Sequence, residues 1–124
     1  MAKSSIVFVI DDETALRTAY AAALSKLGYT VKTASDGVEG QVLLKAGVPS
    51  LILLDMLMPN LDGVGFLKQL RGDAANKDVK IVVVSNFESL PDAEELGVEK
   101  YLSKMQNTPE AVAAAVDRVL KAGG

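Results

Sequence analysis

Residues 6–12 read IVFVIDD, five apolar residues followed at once by two aspartates. A run this short and this apolar is typical of a strand covered on both faces of a parallel sheet. Three later apolar runs also lead into polar residues: Leu51–Leu54 before Asp55, 81–84 before Ser85, and 101–102 before Ser103 and Lys104. The sequence therefore predicts a set of parallel strands that end in chemically useful side chains.

Segments with helical spacing separate these runs. The predicted strands cover 6–10, 29–33, 51–54, 81–84 and 101–103, and the predicted helices cover 13–27, 36–47, 64–71, a short stretch at 91–96, and 108 onward. Gly28 is expected to end the first helix, and Asp36 with Glu39 resembles a capping box. Thr108 followed by proline is a strong start for the last helix. Strands alternating with helices predict βαβ units with right-handed crossovers.

The fold class that follows is α/β, a single domain over residues 1–124 with a doubly wound, five-stranded parallel sheet and a shortened fourth helix. A chain of 124 residues with 49% hydrophobic residues is able to bury a substantial core. The net charge of −3 argues against direct nucleic-acid binding. No apolar run approaches the length of a membrane span and no signal peptide is recognisable, so we expect a cytoplasmic protein without membrane insertion.

The chain contains neither cysteine nor histidine. This composition excludes disulfides, thiol nucleophiles, histidine-ligated metals and imidazole acid–base chemistry. Any nucleophile must therefore be a carboxylate, a hydroxyl or an amine.

The carboxyl ends of parallel strands meet at one edge of the sheet, where α/β proteins bind their ligands. This would bring Asp11, Asp12 and Asp55 together, and three crowded carboxylates need a cation to offset their repulsion. Mg²⁺ suits such a site, with Asp12 and Asp55 as direct ligands, Asp11 acting through water, and the backbone carbonyl of Leu57 as a further ligand. Calcium is less suitable because no EF-hand spacing is present. A solvated acidic turn is the structural alternative.

Asp55 follows the most apolar strand and, being ionised at neutral pH, is able to attack phosphorus. Lys104 would pair with Asp55 before the reaction and with phosphoryl oxygens after it, and Ser85 would donate one hydrogen bond. Each of these residues has an ordinary structural alternative. Their combined placement at strand ends favours a phosphoryl site.

These motifs resemble the receiver domain of two-component response regulators over the whole chain. The matching residues are Asp11-Asp12, the segment from Asp55 to Pro59, Asp62-Gly63, Ser85, and Tyr101 three residues before Lys104. The resemblance implies Mg²⁺-dependent phosphorylation of Asp55 by a sensor histidine kinase or a histidine phosphotransfer protein, and a flavodoxin-like strand order of 2-1-3-4-5. It implies a phosphoacceptor switch, not an enzyme with an external substrate.

The same resemblance makes Ser85 and Tyr101 the switch pair. Phosphate on Asp55 would draw Ser85 inward and leave space for the Tyr101 ring, which would alter the surface of the short fourth helix, the last strand and the last helix. A downstream protein target would read that surface. Only two glycines follow the last helix, so we expect a receiver without an output domain, as a whole protein or an excised piece.

The chain departs from the family where Met105 follows the lysine, a position usually held by proline with a cis bond. We predict a trans bond before Met105, because a non-proline cis bond costs about 2.5–4 kcal/mol. The loop that carries Lys104 must then be built differently. The segment from Ser85 to Lys104 is also shorter than in typical members, which puts partner choice in doubt, and Asn86 replaces a smaller residue beside the phosphoryl pocket.

Leu57 and Phe87 are expected to tune the lifetime of the phosphoryl group. Each lies two positions beyond a site residue, and neither side chain is able to orient a hydrolytic water by hydrogen bonding. The sequence therefore predicts a long-lived phosphoryl group.

Three other functions are alternatives to this interpretation. A degenerate receiver would be a protein-interaction module that leaves Asp55 unused, and Met105 with the shortened fourth helix favours it. A dehalogenase-type phosphatase would need an acid where Leu57 stands. A flavodoxin-like cofactor binder would need a glycine- or serine-rich phosphate loop where residues 11–14 read DDET.

Overall fold

The computed structural model describes residues 5–56, 62–86 and 97–122. Within these ranges strands and helices alternate in this order: β1 (Ile6–Ile10), α1 (Thr14–Lys26), β2 (Thr30–Ala34), α2 (Gly37–Ala46), β3 (Leu51–Leu54), α3 (Gly63–Arg71), a 3₁₀ turn (Ala74–Asn76), β4 (Lys80–Ser85), β5 (Lys100–Ser103) and α4 (Pro109–Ala122). The short helix predicted at 91–96 lies outside the described residues. None of the described helices has the length and apolarity that a membrane crossing requires.

The five strands form one parallel sheet in the order β2-β1-β3-β4-β5. Strand β2 lies on one side of β1, whereas β3, followed by β4 and β5, lies on the other side. This reversal of strand order leaves a crevice at the carboxyl ends of β1 and β3. The predicted fold class and the order implied by the resemblance are both confirmed.

The sheet separates two hydrophobic cores, because alternate residues of a strand point to opposite faces. Val7 and Val9 of β1 belong to the core under α1 and α4, whereas Phe8 and Ile10 belong to the core under α2 and α3. The central strands are therefore buried on both faces, as their unbroken apolar sequences predicted. Because each central strand is buried on both faces, the position of its carboxyl end relative to its neighbours is fixed.

The end of α1 explains why β2 begins one residue later than predicted. Gly28 adopts a left-handed φ of 98°, and its N–H donates to the Ser25 carbonyl at 3.0 Å. The Tyr29 N–H donates to the Leu24 carbonyl at 3.3 Å, which completes a Schellman motif. Tyr29 thus belongs to the helix end, not to the strand, and Leu27 is half exposed.

The two predicted helix starts are formed by side-chain caps. Asp36 Oδ1 accepts from the Glu39 N–H at 2.8 Å, but Glu39 Oε1 accepts from the Ser35 N–H instead of closing a capping box on Asp36. At the start of α4, Thr108 Oγ1 accepts from the Ala111 N–H at 3.1 Å. Both helices therefore begin where the sequence placed them.

Candidate functional site

Four of the five strands end at one edge of the sheet in polar or charged residues. We call this edge the carboxyl rim, and it comprises Asp11, Asp12, Asp55, Ser85 and Lys104. The last backbone hydrogen bonds between strands hold these residues in place: the Asp55 N–H donates to the Ile10 carbonyl and the Lys104 N–H to the Ser85 carbonyl, both at 2.9 Å. The rim is therefore anchored by the sheet itself.

The three aspartates form a compact acidic group. Asp11 is 1% exposed and Asp55 is 3% exposed, whereas Asp12 is open to solvent. One carboxylate oxygen from each lies within 4.8 Å of the others, close enough for all three to approach one metal ion. The expectation that the strand ends would bring these carboxylates together agrees with their positions.

Local contacts orient Asp11 within this group. Its Oδ1 accepts from the Glu13 N–H at 2.8 Å, and Arg17 Nη1 donates to its backbone carbonyl at 2.7 Å. The buried Oδ2 accepts no hydrogen bond from any described residue, although the Lys104 ammonium lies 3.1 Å away. Asp11 Oδ2 thus lies at ion-pair distance from Lys104.

Gly63 allows α3 to begin directly against the end of β3. A Cβ on this residue would lie 2.5 Å from the Met56 Cα, a distance that no real side chain tolerates. The Gly63 N–H also donates to the Met56 carbonyl at 3.1 Å. The Asp-Gly pair at 62–63 therefore packs the backbone that follows Asp55.

Lys104 extends from the end of β5 across to the acidic group. Its side chain is only 5% exposed, and Nζ lies 3.2 Å from Asp55 Oδ2, 3.1 Å from Asp11 Oδ2 and 2.6 Å from Glu13 Oε1. An ammonium taken this far from water is retained only where carboxylates compensate its charge. Lys104 is thus the cation that these carboxylates share.

The loop after Lys104 differs from the proline-containing loop usual in the resembled family. None of the described peptide bonds is cis, so the bond before Met105 is trans, as predicted. The Met105 N–H, which proline would lack, donates to Ser103 Oγ at 3.2 Å. The Met105 side chain is 86% exposed. This turn still delivers the Lys104 ammonium to Asp55.

In this cluster, burial disfavours the charged form of each residue, whereas the neighbouring opposite charges favour it. Burial raises the pKa of Asp11, and the Glu13 N–H and the Lys104 charge only partly counteract it. Burial alone would lower the pKa of Lys104, but the Glu13 carboxylate and the charges of Asp11 and Asp55 raise it above its usual value. Lys104 is therefore cationic throughout the physiological range.

Ser85, Asn86 and Tyr101 lie on the β4–β5 side of the rim. Ser85 is fully buried, and Asn86 is exposed. The Tyr101 hydroxyl is buried near Ser85 without a hydrogen bond that satisfies ordinary geometry among the described residues, and its burial raises the Tyr101 pKa. A cavity of about 600 Å³ opens beside them, lined by Asn86, Tyr101, Ser103, Met105 and Gln106.

Sequence reasoning missed the contact between Glu13 and Lys104. These residues are 91 positions apart, and Glu13 was assigned only to the start of a helix. The one available signal was a third acid directly after Asp11-Asp12. Leu57 and Phe87, assigned as ligand or tuning residues, lie outside the described residues.

The parallel α/β sheet, the acidic carboxyl rim and the shared lysine are together consistent with a receiver domain. Residues 7–116 match the response regulator receiver domain family. The chain is 35% identical over 118 residues to a probable transcriptional regulator, ycf27, of Guillardia theta, a match that covers 93% of this chain and 45% of that protein. It is 35% identical over 101 residues to the response regulator MprA of Mycobacterium tuberculosis, covering 79% of this chain and 43% of MprA.

Solved structures share this fold. The chemotaxis response regulator CheY4 of Vibrio cholerae superimposes with a TM-score of 0.87 at 26% identity, covering 94% of this chain and 99% of CheY4. A CheY-like receiver domain from Methanospirillum hungatei shares the fold with a TM-score of 0.86 at 21% identity, covering 96% of this chain and 95% of that one.

The chain belongs to the response regulator receiver domain family of two-component signalling. Such domains are phosphoacceptor switches and not classical enzymes. The chain spans about half the length of the curated relatives named above.

Proposed function

We propose that this receiver accepts a phosphoryl group on Asp55. The observation that carries the proposal is the position of Lys104 Nζ, 3.2 Å from Asp55 Oδ2 and 3.1 Å from Asp11 Oδ2. This arrangement puts a buried nucleophile, a fixed cation and an acidic group at the end of a central strand. Such positioning supplies most of the catalysis in phosphoryl transfer, where little covalent chemistry is left to the protein.

The proposed reaction forms one bond and breaks one. An Asp55 carboxylate oxygen attacks phosphorus, and the bond between phosphorus and the donor breaks, with its electron pair leaving on the donor. The donor is the phosphohistidine of a sensor histidine kinase or a histidine phosphotransfer protein, whose imidazole then takes a proton. With acetyl phosphate the leaving group is acetate. Lys104 and Ser85 stabilise the transferred oxygens by hydrogen bonds.

We propose that Asp11, Asp12 and Asp55 hold Mg²⁺. Support comes from their mutual distances within 4.8 Å and from the buried Asp11 Oδ2, which accepts no hydrogen bond from the described residues. Oxygen ligands of this kind suit a hard cation that keeps several waters. Bound Mg²⁺ supplies positive charge to the transferred phosphoryl group.

The proposed output is a change at Ser85 and Tyr101. The Tyr101 hydroxyl is buried beside Ser85, and a buried hydroxyl left without a hydrogen bond costs about 1–3 kcal/mol. Movement of Ser85 toward the phosphoryl group would change the partner available to this hydroxyl and bias the ring. The cavity beside Tyr101 and Met105 is then the surface a downstream protein would read.

The first test is intact-protein mass spectrometry after incubation with acetyl phosphate. We expect one added phosphoryl group in Mg²⁺, none with a chelator, and none in Asp55→Asn. Asp78→Asn removes an exposed acid away from the rim and should still be phosphorylated. No addition to the wild type, together with no Mg²⁺ binding by calorimetry, would overturn the proposal and favour the degenerate interaction module.

The role of the full-length protein is a separate proposal. Several curated relatives are named as transcriptional regulators, and each extends well beyond the region matched here. We propose that phosphorylation of this receiver controls such an output through protein contacts, without direct nucleic-acid binding by the receiver. A shift in the gel mobility of DNA caused by the phosphorylated receiver alone would contradict this proposal.

A further inference from the structure

Glu13 occupies the N-cap position directly before α1, but its side chain does not cap the helix. Its backbone is extended, as an N-cap requires, but its side chain makes no cap hydrogen bond. Short polar residues are preferred here because their oxygens reach the free N–H groups of the first turn. Glu13 instead directs its carboxylate away from the helix to Lys104, at 2.6 Å. This is the shortest of the three ion pairs that Lys104 makes.

The Lys104 ammonium is saturated in this arrangement. An ammonium has three N–H donors, and the three carboxylates of Asp11, Glu13 and Asp55 lie around it among the described residues. Its side chain is too buried for water to add further partners freely. Phosphorylation of Asp55 passes the Asp55 contact to a phosphoryl oxygen, but a second hydrogen bond from Lys104 to the phosphoryl group forms only if Asp11 or Glu13 gives up its own.

Glu13 is the partner that is released at least cost. Asp11 is buried, so losing the ammonium would leave its carboxylate poorly compensated. The Glu13 side chain is 51% exposed and can turn to water. Glu13 is also not one of the proposed Mg²⁺ ligands.

We propose that Glu13 is a positioning residue that holds Lys104 in the unphosphorylated protein and is exchanged for a phosphoryl oxygen when Asp55 is loaded. This inference rests on the proposed function and adds a competitor to it. Removing the Glu13 contact frees one ammonium donor, so phosphoryl capture should become easier. Glu13 would thus set how readily this receiver is phosphorylated.

The test compares Glu13→Gln, Glu13→Asp and Glu110→Gln with the wild type. Gln keeps the size of the side chain and removes its charge, whereas Asp keeps the charge and shortens the reach. Glu110 is exposed in the first turn of α4, so its substitution controls for removal of one surface charge near a helix start. Phosphorylation by acetyl phosphate in saturating Mg²⁺ gives the rate, and Asp55→Asn gives the background.

A second measurement involves no covalent transfer. Calorimetric titration with beryllofluoride and Mg²⁺ reports how well the rim accepts a phosphoryl-like group. We expect Glu13→Gln and Glu13→Asp to be phosphorylated about threefold faster and to bind beryllofluoride about threefold more tightly, the size of a half-exposed ion pair. Glu110→Gln should match the wild type, and a merely structural role for Glu13 would not tighten binding.

Several outcomes would overturn this inference. An unchanged or slower Glu13→Gln with unchanged beryllofluoride affinity would show that the contact does not compete. A Glu13→Asp variant equal to the wild type, or a Glu110→Gln variant equal to Glu13→Gln, would show that charge alone acts. If the wild type is phosphorylated on Asp55 in these cases, only the role of Glu13 fails; if it is not phosphorylated at all, the proposed function fails with it.

Discussion

At the carboxyl rim one ammonium contacts three carboxylates, whereas at the opposite edge of the sheet one phenol donates to one carboxylate. The Tyr29 hydroxyl donates a short hydrogen bond to Asp117 of α4, and Lys121 lies 3.0 Å from the same carboxyl group. We call the Tyr29–Asp117 hydrogen bond, together with the Lys121 contact to the same carboxylate, the amino-edge pair. Its charges are balanced locally, while the rim carries a surplus of negative charge.

The two groups distinguish contacts that serve the fold from contacts that serve a ligand. The amino-edge pair joins the start of β2 to α4, and each of its two donors has an oxygen of Asp117 as acceptor. The rim concentrates carboxylates that repel one another and lowers its own stability until a cation arrives. Substitutions at the two edges should therefore differ in the size of their effect on stability and in its dependence on Mg²⁺, and the following predictions test that.

The largest effect is expected from Lys104→Met. Removing the shared ammonium leaves buried carboxylates without compensation, which should lower the free energy of unfolding by about 3 kcal/mol without metal. Mg²⁺ should restore part of the loss because it supplies positive charge to the same oxygens. Urea unfolding followed by circular dichroism, with chelator and with Mg²⁺, measures both.

Lys121→Met is the matched control at the other edge. Lys121 also contacts a carboxylate, but its side chain is 76% exposed. Such a pair contributes less than about 1 kcal/mol. Equal losses in the two variants would contradict the distinction between the edges.

The rim residues that directly follow a strand were predictable from the sequence. Strands β1 and β3 were placed correctly because continuous burial on both faces leaves an unbroken apolar run, and the residue after each run must then lie at the rim. The contacts of Lys104 were only partly predictable. Pairing with Asp55 followed from strand placement, but pairing with Glu13 depends on how a long side chain crosses two strands, which no local pattern encodes.

The amino-edge pair was not predicted at all. Tyr29 was assigned to β2, whereas its N–H completes the end of α1 and its hydroxyl meets a helix 88 residues further along the chain. The Tyr29 N–H donates to the Leu24 carbonyl of α1, and pairing with β1 begins at Thr30. Tertiary contacts between distant residues of ordinary type leave little signal in one sequence.

A smaller effect is expected at this amino-edge pair. Tyr29→Phe removes the hydrogen bond without changing the ring, and should lower the free energy of unfolding by about 1 kcal/mol at neutral pH. Urea unfolding measures it, and Tyr101→Phe provides a comparison in which no satisfied hydrogen bond among the described residues is lost. A Tyr29→Phe variant as stable as the wild type would remove the structural role assigned to the pair.

The pH dependence of this pair has a definite sign. The hydrogen bond from Tyr29, together with Lys121, holds the pKa of Asp117 below its usual value of 3.8. Ionised Asp117 therefore contributes stability above that value, and the contribution is lost as the pH falls through the lower folded pKa. The stability difference between the wild type and Asp117→Asn should be full at pH 7 and should shrink in strong acid. A difference that grows on acidification would contradict the assignment.

The smallest effect, and the one that separates the two edges most sharply, is expected from Asp12→Asn. Asp12 is exposed but lies close to two buried carboxylates, so in chelator its neutralisation should raise the free energy of unfolding by about 0.5 kcal/mol, and added salt should reduce this gain. In saturating Mg²⁺ the order should reverse, because the wild type is stabilised by the ion it binds more tightly. Asp78→Asn, an exposed acid beside the start of β4, should show neither the gain nor the reversal. A loss of stability in Asp12→Asn under both conditions would mean that its carboxylate serves the fold, whereas a sign that depends on Mg²⁺ is the behaviour of a charge placed for a ligand at the expense of the fold.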